Sequence, residues 1–315
     1  MPVNPQKLMK FLITMILLGV FGFFLAKYHK ELYIVREISV IQFLSLFVLV
    51  VISVGINGSK LKYLTRFFNL SLEFKEWFGL SSITTTLNNV LFKAGSLVTS
   101  NYLKRKHQFP YMSFVGSLGA DQLILLFTAS VTGGIVSCWL VAAKGAGLQP
   151  LAGVYLFAAI ILLLFMRGRF RMKNRDHWIL NALVRAVNAL NRILENRTLF
   201  FTLCAHNLVL IVLTSLRFYV ACQVLGLDVA LEYCFLFSTV VILVSVLPIF
   251  QSDVGARELA VAFFSQLVGI GFNEGLLATL IDRLFVLLWT VLLAGMFKHI
   301  LVPEPVNRGR DSLIV

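Results

Sequence analysis

Charged residues are scarce in this sequence of 315 residues. Only 14% of the positions are Asp, Glu, Lys or Arg, against about 25% in ordinary soluble domains, whereas 58% are hydrophobic. The core of a soluble domain cannot bury so large an apolar share. The composition therefore excludes an ordinary soluble domain and predicts an integral membrane protein.

Residues that bind metals or form disulfides are also few. The four cysteines show no C-x-x-C spacing, and the five histidines show no paired-His or H-E-x-x-H spacing. No Ser/His constellation is visible within the apolar runs. We therefore expect no metal, no cofactor and no enzymatic activity.

The positive charge is large but unevenly placed. The formal net charge is +13 at pH 7, and the basic residues stand in short stretches between apolar runs. This is the pattern of cytoplasmic membrane loops, so we expect no nucleic-acid partner.

Six apolar runs are long enough to cross about 30 Å of hydrocarbon. They are Lys10–Ala26, Ile38–Ile56, Val115–Val141, Leu151–Met166, Leu199–Leu225 and Leu276–Phe297. Two further apolar stretches, Trp77–Leu103 and Tyr233–Ile270, are interrupted by small, polar or helix-breaking residues. The expected fold is an all-α polytopic membrane helix bundle of about six full spans and two interrupted elements.

The distribution of Lys and Arg predicts the orientation of the spans, because short loops that are rich in these residues stay in the cytoplasm. The most basic loop, residues 167–197, is placed inside, together with both chain termini. A second inside loop is predicted to hold Lys60, Lys62 and Arg66. The connection that carries Asp228 and Glu232 has no basic residue and is placed outside.

With these loops assigned, each interrupted element begins and ends on one side of the membrane. Trp77–Leu103 is predicted to be a re-entrant hairpin from the cytoplasm, and Tyr233–Ile270 one from outside. The single membrane domain, 1–315, thus contains two similar segments, 77–141 and 233–297, each with a hairpin followed by a span.

The two segments also share a spacing, which predicts an inverted repeat. Gly95 precedes Asp121 by 26 positions and Gly255 precedes Asp282 by 27, by subtraction of the residue numbers. Gly95, Gly255 and Pro248 mark the expected breaks of the hairpins. In transporters with inverted repeats, broken helices meet near the midplane of the membrane and form the substrate site.

Ionisable residues near these breaks are the candidates for substrate binding or translocation, because charges inside a membrane are costly and usually functional. The candidates are Arg257, Glu258, Asp282, Arg283, Asp121 and Lys93. The helix that begins at Gly255 favours an anion at its N-terminus, and Arg257 adds a cation. Two interpretations stay open: these charges could bind a substrate, or they could pair with one another and hold the bundle together. Arg217 is expected to snorkel to the headgroups.

The loop over residues 167–197 has a second predicted property. Leu183, Val187, Leu190 and Leu194 recur at helical spacing, with basic residues between them. We expect an amphipathic helix on the cytoplasmic leaflet, attracted by anionic lipids.

The sequence resembles the membrane region of the lysylphosphatidylglycerol synthase and flippase-like family. The residues that carry the resemblance are Leu247-Pro248, Gly255-Ala256-Arg257-Glu258, Asp282-Arg283, Leu91 through Gly95, and Asp121. The resemblance implies a bacterial cytoplasmic (inner) membrane protein and, as partners, membrane lipids or lipid-linked precursors. Phe92, Ser96 and Gln122 depart from the family pattern, which has proline, glutamate and arginine in these places.

Two functions follow from these expectations. The first is a flippase-like protein that translocates or binds a lipid or a lipid-linked glycan precursor with an anionic headgroup. The alternative is a membrane scaffold subunit of a lipid or polysaccharide assembly system. Because the chain ends at Val315 with no recognisable soluble domain, we expect no aminoacyl transfer.

Overall fold

The computed structural model describes residues 38–90, 93–145, 147–168, 178–246, 255–297 and residue 300. The described residues form helices and connections without a strand, which confirms the all-α prediction. The helices are α1 (Val40–Phe67), α2 (Phe74–Val90), α3 (Ala94–His107), α4 (Tyr111–Lys144), α5 (Gln149–Arg167), α6 (Trp178–Glu195), α7 (Arg197–Val224), α8 (Leu231–Val246), α9 (Ala256–Leu267) and α10 (Phe272–Phe297).

Five of the described helices, α1, α4, α5, α7 and α10, are long and apolar enough to cross a membrane. They correspond to five of the six predicted spans, and the remaining one, Lys10–Ala26, lies outside the described residues. The surface of α5 is typical of a lipid-facing helix, because Val154, Phe157, Ile160 and Leu164 are all exposed. The polytopic bundle is thus confirmed.

The ends of α1 and α7 follow from their capping residues. At the start of α1, the Ser39 hydroxyl accepts from the Gln42 backbone N–H at 3.2 Å, and the Gln42 side chain accepts from the Ser39 N–H at 3.0 Å. Asn196 caps α7 by accepting from the backbone N–H of Leu199 at 2.9 Å. The predicted span Ile38–Ile56 corresponds to α1. Its predicted end at Ile56 is wrong, because α1 continues without a break to Phe67.

The first interrupted element is a tight antiparallel hairpin of α2 and α3. A Cβ atom on Gly95 would overlap the backbone of Thr84, so only glycine permits this approach of the two helices. The Gly95 N–H also donates to the side-chain oxygen of Asn88 at 2.9 Å. At the base of the hairpin, Glu76 accepts from the Tyr102 hydroxyl at 2.8 Å.

The second interrupted element is the pair α8 and α9, which are joined by residues 247–254 and pack against each other. The predicted break at Pro248 lies outside the described residues. Gly255 precedes α9 with a φ of 90°, a conformation that favours glycine. Its N–H donates to the Glu258 carboxylate at 2.7 Å, so Glu258 caps the helix that it belongs to.

The helices α1–α4 and α7–α10 repeat one arrangement: a long helix, two short helices and another long helix. The first helices of the two halves have 28 residues each, and the hairpin helices have 17 and 14 residues against 16 and 12. The contacts between the halves are reciprocal, since α4 packs on α8, α10 packs on α2, and α1 packs on α7. This reciprocity is what a two-fold relation between the halves requires.

The basic loop contains the expected amphipathic helix, α6, but part of its apolar face contacts protein. Val184, Ala189 and Ile193 are buried, and a Cβ atom on Gly116 of α4 would overlap the backbone of Ala186. The contact of α6 with a lipid leaflet stays a prediction. Arg192 is exposed and lies 5.6 Å from the ring centroid of Phe67, which ties α6 to the end of α1.

Candidate functional site

A fully buried carboxylate, Asp282 of α10, lies between two arginines of different helices. Arg217 of α7 donates from Nε to Asp282 Oδ1 at 2.7 Å, and Arg257 of α9 pairs with Oδ2. Asp282 has no exposed surface, and both arginines are buried. Arg217 donates further to the Ser53 hydroxyl of α1 at 3.0 Å. The cluster therefore joins three helices of the second half to the first half.

A second ion pair lies beside this cluster. Arg283, the residue after Asp282, pairs with Glu258 of α9, the residue after Arg257. Arg283 also donates to the backbone carbonyl of Asn89 at 3.0 Å, near the tip of the first hairpin. The contacts of Arg283 thus connect the second hairpin with the tip of the first.

Arg217 corrects one prediction. Its side chain does not snorkel towards headgroups but turns inward, where it is 7% exposed and pairs with Asp282. A buried carboxylate between α7, α9 and α10 outweighs the attraction of the surface, because an unpaired charge at that depth would be costly.

The first half contains a related pair, Lys60 of α1 and Asp121 of α4. The ammonium group of Lys60 lies 2.9 Å from Asp121 Oδ2 and donates to Asn207 Oδ1 of α7 at 2.7 Å. The prediction that places Lys60 in a cytoplasmic loop is wrong, because Lys60 is inside α1 and buried.

The two ion pairs occupy equivalent places in the repeat. Lys60 stands 20 positions after Val40, where α1 begins, and Arg217 stands 20 positions after Arg197, where α7 begins, by subtraction of the residue numbers. Each cation pairs with the aspartate of the last helix in its own half. Each also donates a hydrogen bond to the first helix of the other half. The spacing of Asp121 and Asp282 thus has a structural counterpart.

A cavity of about 320 Å³ lies along the first hairpin and reaches the second half. Of the 22 described residues that line it, 15 are polar or charged, although the protein as a whole is apolar. The polar residues that line it are Asn57, Lys60, Thr65, Ser81, Thr84, Thr85, Asn88, Asn89, Ser96, Thr99, Ser117, Asp121, Gln122, Ser245 and Arg257. Within a membrane, such a lining is stable only where it faces water or a polar ligand.

Three charged residues in the described part of the chain line the cavity: Lys60, Asp121 and Arg257. Lys60 and Asp121 balance each other, so Arg257 gives the lining a formal excess of one positive charge. Among the described residues, the buried Nε of Arg257 and the buried Oδ1 of Asp121 have no hydrogen-bond partner. Arg257 and Asp121 of the lining are a cationic donor and a carboxylate acceptor, and this combination suits an anion that also carries hydroxyl groups.

The structure brings four of the six candidate residues, Arg257, Glu258, Asp282 and Arg283, into one cluster. Asp121 is not part of this cluster; it lines the cavity and pairs with Lys60. Lys93 precedes α3 in a left-handed conformation, with a φ of 54°; it is exposed and does not line the cavity. Of the predicted breaks, Gly95 and Gly255 stand at the starts of the returning helices.

Sequence reasoning missed several residues of the site, chiefly Lys60, Asn207 and the polar face of α2. The run from Ser81 to Asn89 contains seven serine, threonine or asparagine residues inside an otherwise apolar element, and this signal was available. The helices also bring together Ser59 and His206, whose side chains lie 3.1 Å apart, a pair that the sequence does not show. His206 Nδ1 bonds to the Thr202 carbonyl, so Nε2 accepts from Ser59 and links α1 to α7.

No group of three or more His, Cys, Asp or Glu side chains in the described ranges is arranged to hold a metal ion. The comparisons with known proteins give one family. The model of the family described as "Lysylphosphatidylglycerol synthase TM region" matches residues 8–295. Neither the curated proteins nor the solved structures contain a match.

Proposed function

This chain belongs to the lysylphosphatidylglycerol synthase TM region family, and we propose that it binds the anionic headgroup of a lipid or lipid-linked precursor and moves it across the membrane. The observation that carries the proposal is the cavity along the first hairpin, which has Arg257 of the second half in its lining; the buried Nε of this arginine has no hydrogen-bond partner among the described residues. An arginine donor in a low-dielectric site binds phosphate strongly, because few water molecules compete there.

The residues of the site have different parts in this proposal. Arg257 donates to the phosphate through Nε, while its Nη2 stays paired with Asp282. Asp282, which Arg217 holds through its other oxygen, keeps that guanidinium in place. Asp121, itself held by Lys60, accepts from a hydroxyl group of the headgroup through its free Oδ1. The acyl chains remain outside the cavity, among the exposed apolar side chains of the bundle.

Movement across the membrane follows from the repeat in this proposal. Transporters with inverted repeats expose a central site alternately, by moving one repeat unit against the other. Arg257 pairs with Asp282 and Arg283 pairs with Glu258 in the second half, whereas the cavity lies along the first hairpin; in this proposal the two pairs close the second half. The opposite state would open the second hairpin and close the first.

The proposed setting is the bacterial cytoplasmic membrane, with both termini inside and no chemical change to the lipid. The exposed basic residues of α6, such as Arg185 and Arg192, would hold the cytoplasmic face close to anionic lipids.

The direct test is a headgroup accessibility assay in vesicles that contain fluorescent phosphatidylglycerol and the purified protein. We expect the protein to speed the exchange of the lipid between leaflets, and Arg257→Gln to slow that exchange at least about tenfold, as loss of a charged hydrogen bond implies. Arg66→Gln, an exposed arginine at the end of α1, is the matched control and should leave the rate unchanged. Exchange that equals the rate of protein-free vesicles would reject the transport function.

A scaffold function is the second candidate, and one observation favours it. All three buried arginines of the second half are paired with carboxylates, as expected of charges that only hold helices together. The same assay separates the two functions. If the protein is a scaffold, it does not speed lipid exchange, and Arg257→Gln only lowers its melting temperature. If it is a transporter, Arg257→Gln slows lipid exchange although the protein is still folded.

A further inference from the structure

The cavity has one strongly polar wall, which is formed by one face of α2. Thr84 and Thr85 stand three and four positions after Ser81, and four and three positions before Asn88, so all four lie on the same face of the helix. All four line the cavity, and Ser96 of α3 extends the wall. These side chains are neutral, and each hydroxyl or amide group can both donate and accept hydrogen bonds.

Part of this wall is already bonded within the protein, and part is not. Ser81 donates to the Val54 carbonyl at 2.7 Å, and Thr84 bonds to Thr99 at 2.6 Å. In contrast, the Thr85 hydroxyl and the Ser96 hydroxyl have no partner in the portion of the chain that the structure describes. The same holds for the Gln122 amide group. Thr85 and Ser96 belong to the two helices of the hairpin, and the lining of the same cavity also includes Gln122 and Arg257.

The repeat explains why the cavity lies in the first half. Glu258 stands three positions after Gly255, and Arg283 stands one position after Asp282; these two side chains form an ion pair in the second half. The equivalent positions in the first half are Val98 and Gln122. The ion pair is therefore replaced by a small apolar side chain and a neutral amide, which leaves room and adds hydrogen-bonding groups without adding charge.

The charges of the lining exclude one class of headgroup. Asp121 is the carboxylate among the described lining residues, and Lys60 already neutralises it. A headgroup that carries an ammonium group would enter a cavity with a net positive charge and would find no unbalanced partner. The desolvation of such a group would then oppose binding.

We propose that the cavity selects a polyol phosphate, with the phosphate on Arg257 and neighbouring hydroxyl groups along Thr85, Ser96 and Gln122. This inference rests on the proposed function and names the substrate class of the same site. A volume of about 320 Å³ is at the lower end of ligand pockets, about 300–1,000 Å³, and suits a headgroup without its acyl chains. Glycerol phosphate, inositol phosphate and sugar phosphate headgroups share this chemistry.

Calorimetric titration of the full chain in detergent tests the selection. The probes are dihexanoyl phosphatidylglycerol, dihexanoyl phosphatidylinositol, glucose 1-phosphate and dihexanoyl phosphatidylethanolamine. We expect the first three to bind at least about fourfold more tightly than the last, because their hydroxyl groups make two or more additional hydrogen bonds. The order among the first three distinguishes a glycerolipid headgroup from a sugar phosphate.

Two variants test whether the polar wall of the cavity is responsible for selecting the headgroup. The double variant Thr85→Val, Ser96→Ala removes two free hydroxyl groups and should weaken polyol phosphate binding by about 4- to 100-fold, at about 2- to 10-fold for each hydrogen bond. Thr86→Val is the matched control. The hydroxyl of Thr86 donates to the Ser82 carbonyl at 2.9 Å and does not line the cavity, so its loss should not change the selection.

The possible results are distinct. Equal binding of phosphatidylethanolamine overturns the polyol selection, and so does a folded double variant with unchanged affinities. Both results leave the proposed function intact if Arg257→Gln still abolishes binding. Failure of folded wild-type protein to bind any of the four probes overturns the selection and the proposed function together. If the double variant does not fold, the ranking of the four probes on the wild-type protein decides.

Discussion

At the scale of single residues, the two aspartates of the repeat are not equivalent. Asp282 has no exposed surface and both of its oxygens are paired with arginines, whereas Asp121 pairs with Lys60 through one oxygen only. Lys60 keeps a second partner in Asn207. The two aspartates, although at equivalent positions of the repeat, therefore contribute differently to the stability of the protein.

This difference predicts unequal effects of the same substitution. Asp282→Asn would leave Arg217 and Arg257 buried without a counter-charge and should destabilise the protein by about 3–5 kcal/mol. Asp121→Asn should cost less, because Lys60 stays bonded to Asn207. Melting temperatures of the two variants in one detergent provide the comparison. Equal decreases in melting temperature would show that Asp282 does not stabilise the protein more than Asp121 does.

The individual charges of the site could be predicted from the sequence, but their partners could not. Arg257, Asp282 and Arg283 stand out because charged residues are rare in apolar runs. Arg217 and Lys60 stand out less, because each lies near one end of a long helix and resembles a snorkelling or loop residue. Their pairing depends on contacts between helices that are far apart in the chain, and the local sequence does not predict such contacts.

At the scale of helices, the first hairpin is held at its base by Glu76 of α2. Its carboxylate contacts Tyr102, His107 and Lys106, which come from the end of α3. Burial raises the pKa of Glu76, but hydrogen bonds from Lys106, the Glu73 backbone, Tyr102 and His107 outweigh it and lower the pKa to about 2. Glu76 lies outside the five membrane-spanning helices.

The lowered pKa of Glu76 predicts a loss of stability in acid. A carboxylate with a depressed pKa stabilises the fold fully above its ordinary value of 4.5, and this contribution is lost as the pH falls towards about 2. We expect the melting temperature of the protein in detergent to fall over this range. Glu76→Gln should be less stable at neutral pH and should show a flatter pH dependence. The same slope in both proteins would assign the acid sensitivity to another group.

Gly95 and Gly255 show how far the hairpins could be predicted. Both glycines stand where sequence reasoning expects a break, since each belongs to a stretch of small, polar or helix-breaking residues that interrupts an apolar run. The depth of the contact at Gly95 against Thr84 depends on the packing of two helices and was not predictable. The apolar spacing of α6 predicts its helix but not its contact with α4, because lipid and protein offer the same kind of apolar surface.

At the scale of the whole molecule, the two halves share a plan but differ in their polar interiors. The spacing of Gly95 to Asp121 and of Gly255 to Asp282, combined with the opposite orientations that charge gives the two hairpins, predicts the repeat. It does not predict that the second half is filled by the pair of Glu258 and Arg283 while a cavity lies along the first hairpin. Cavities arise from the packing of all helices together, and one sequence does not determine them locally.

Both halves also contribute to the cavity, because Arg257 of α9 and Asp121 of α4 are in the same lining. A site that is shared by two repeat-related halves changes its surroundings whenever one half moves against the other. This arrangement is the physical basis of the proposed transport, since the bound headgroup would then face each side of the membrane in turn.

The central claim, that an anionic headgroup occupies the cavity, is tested most directly by the reactivity of a cysteine at position 96. In a Ser96→Cys variant without the native cysteines, in vesicles, a charged thiol reagent that cannot cross the membrane should modify this position. Phosphatidylglycerol in the vesicles should slow the reaction relative to phosphatidylcholine, and Arg257→Gln should remove that protection. A thiol that reacts after denaturation but in no folded sample, or at one rate in both lipids, would contradict the account.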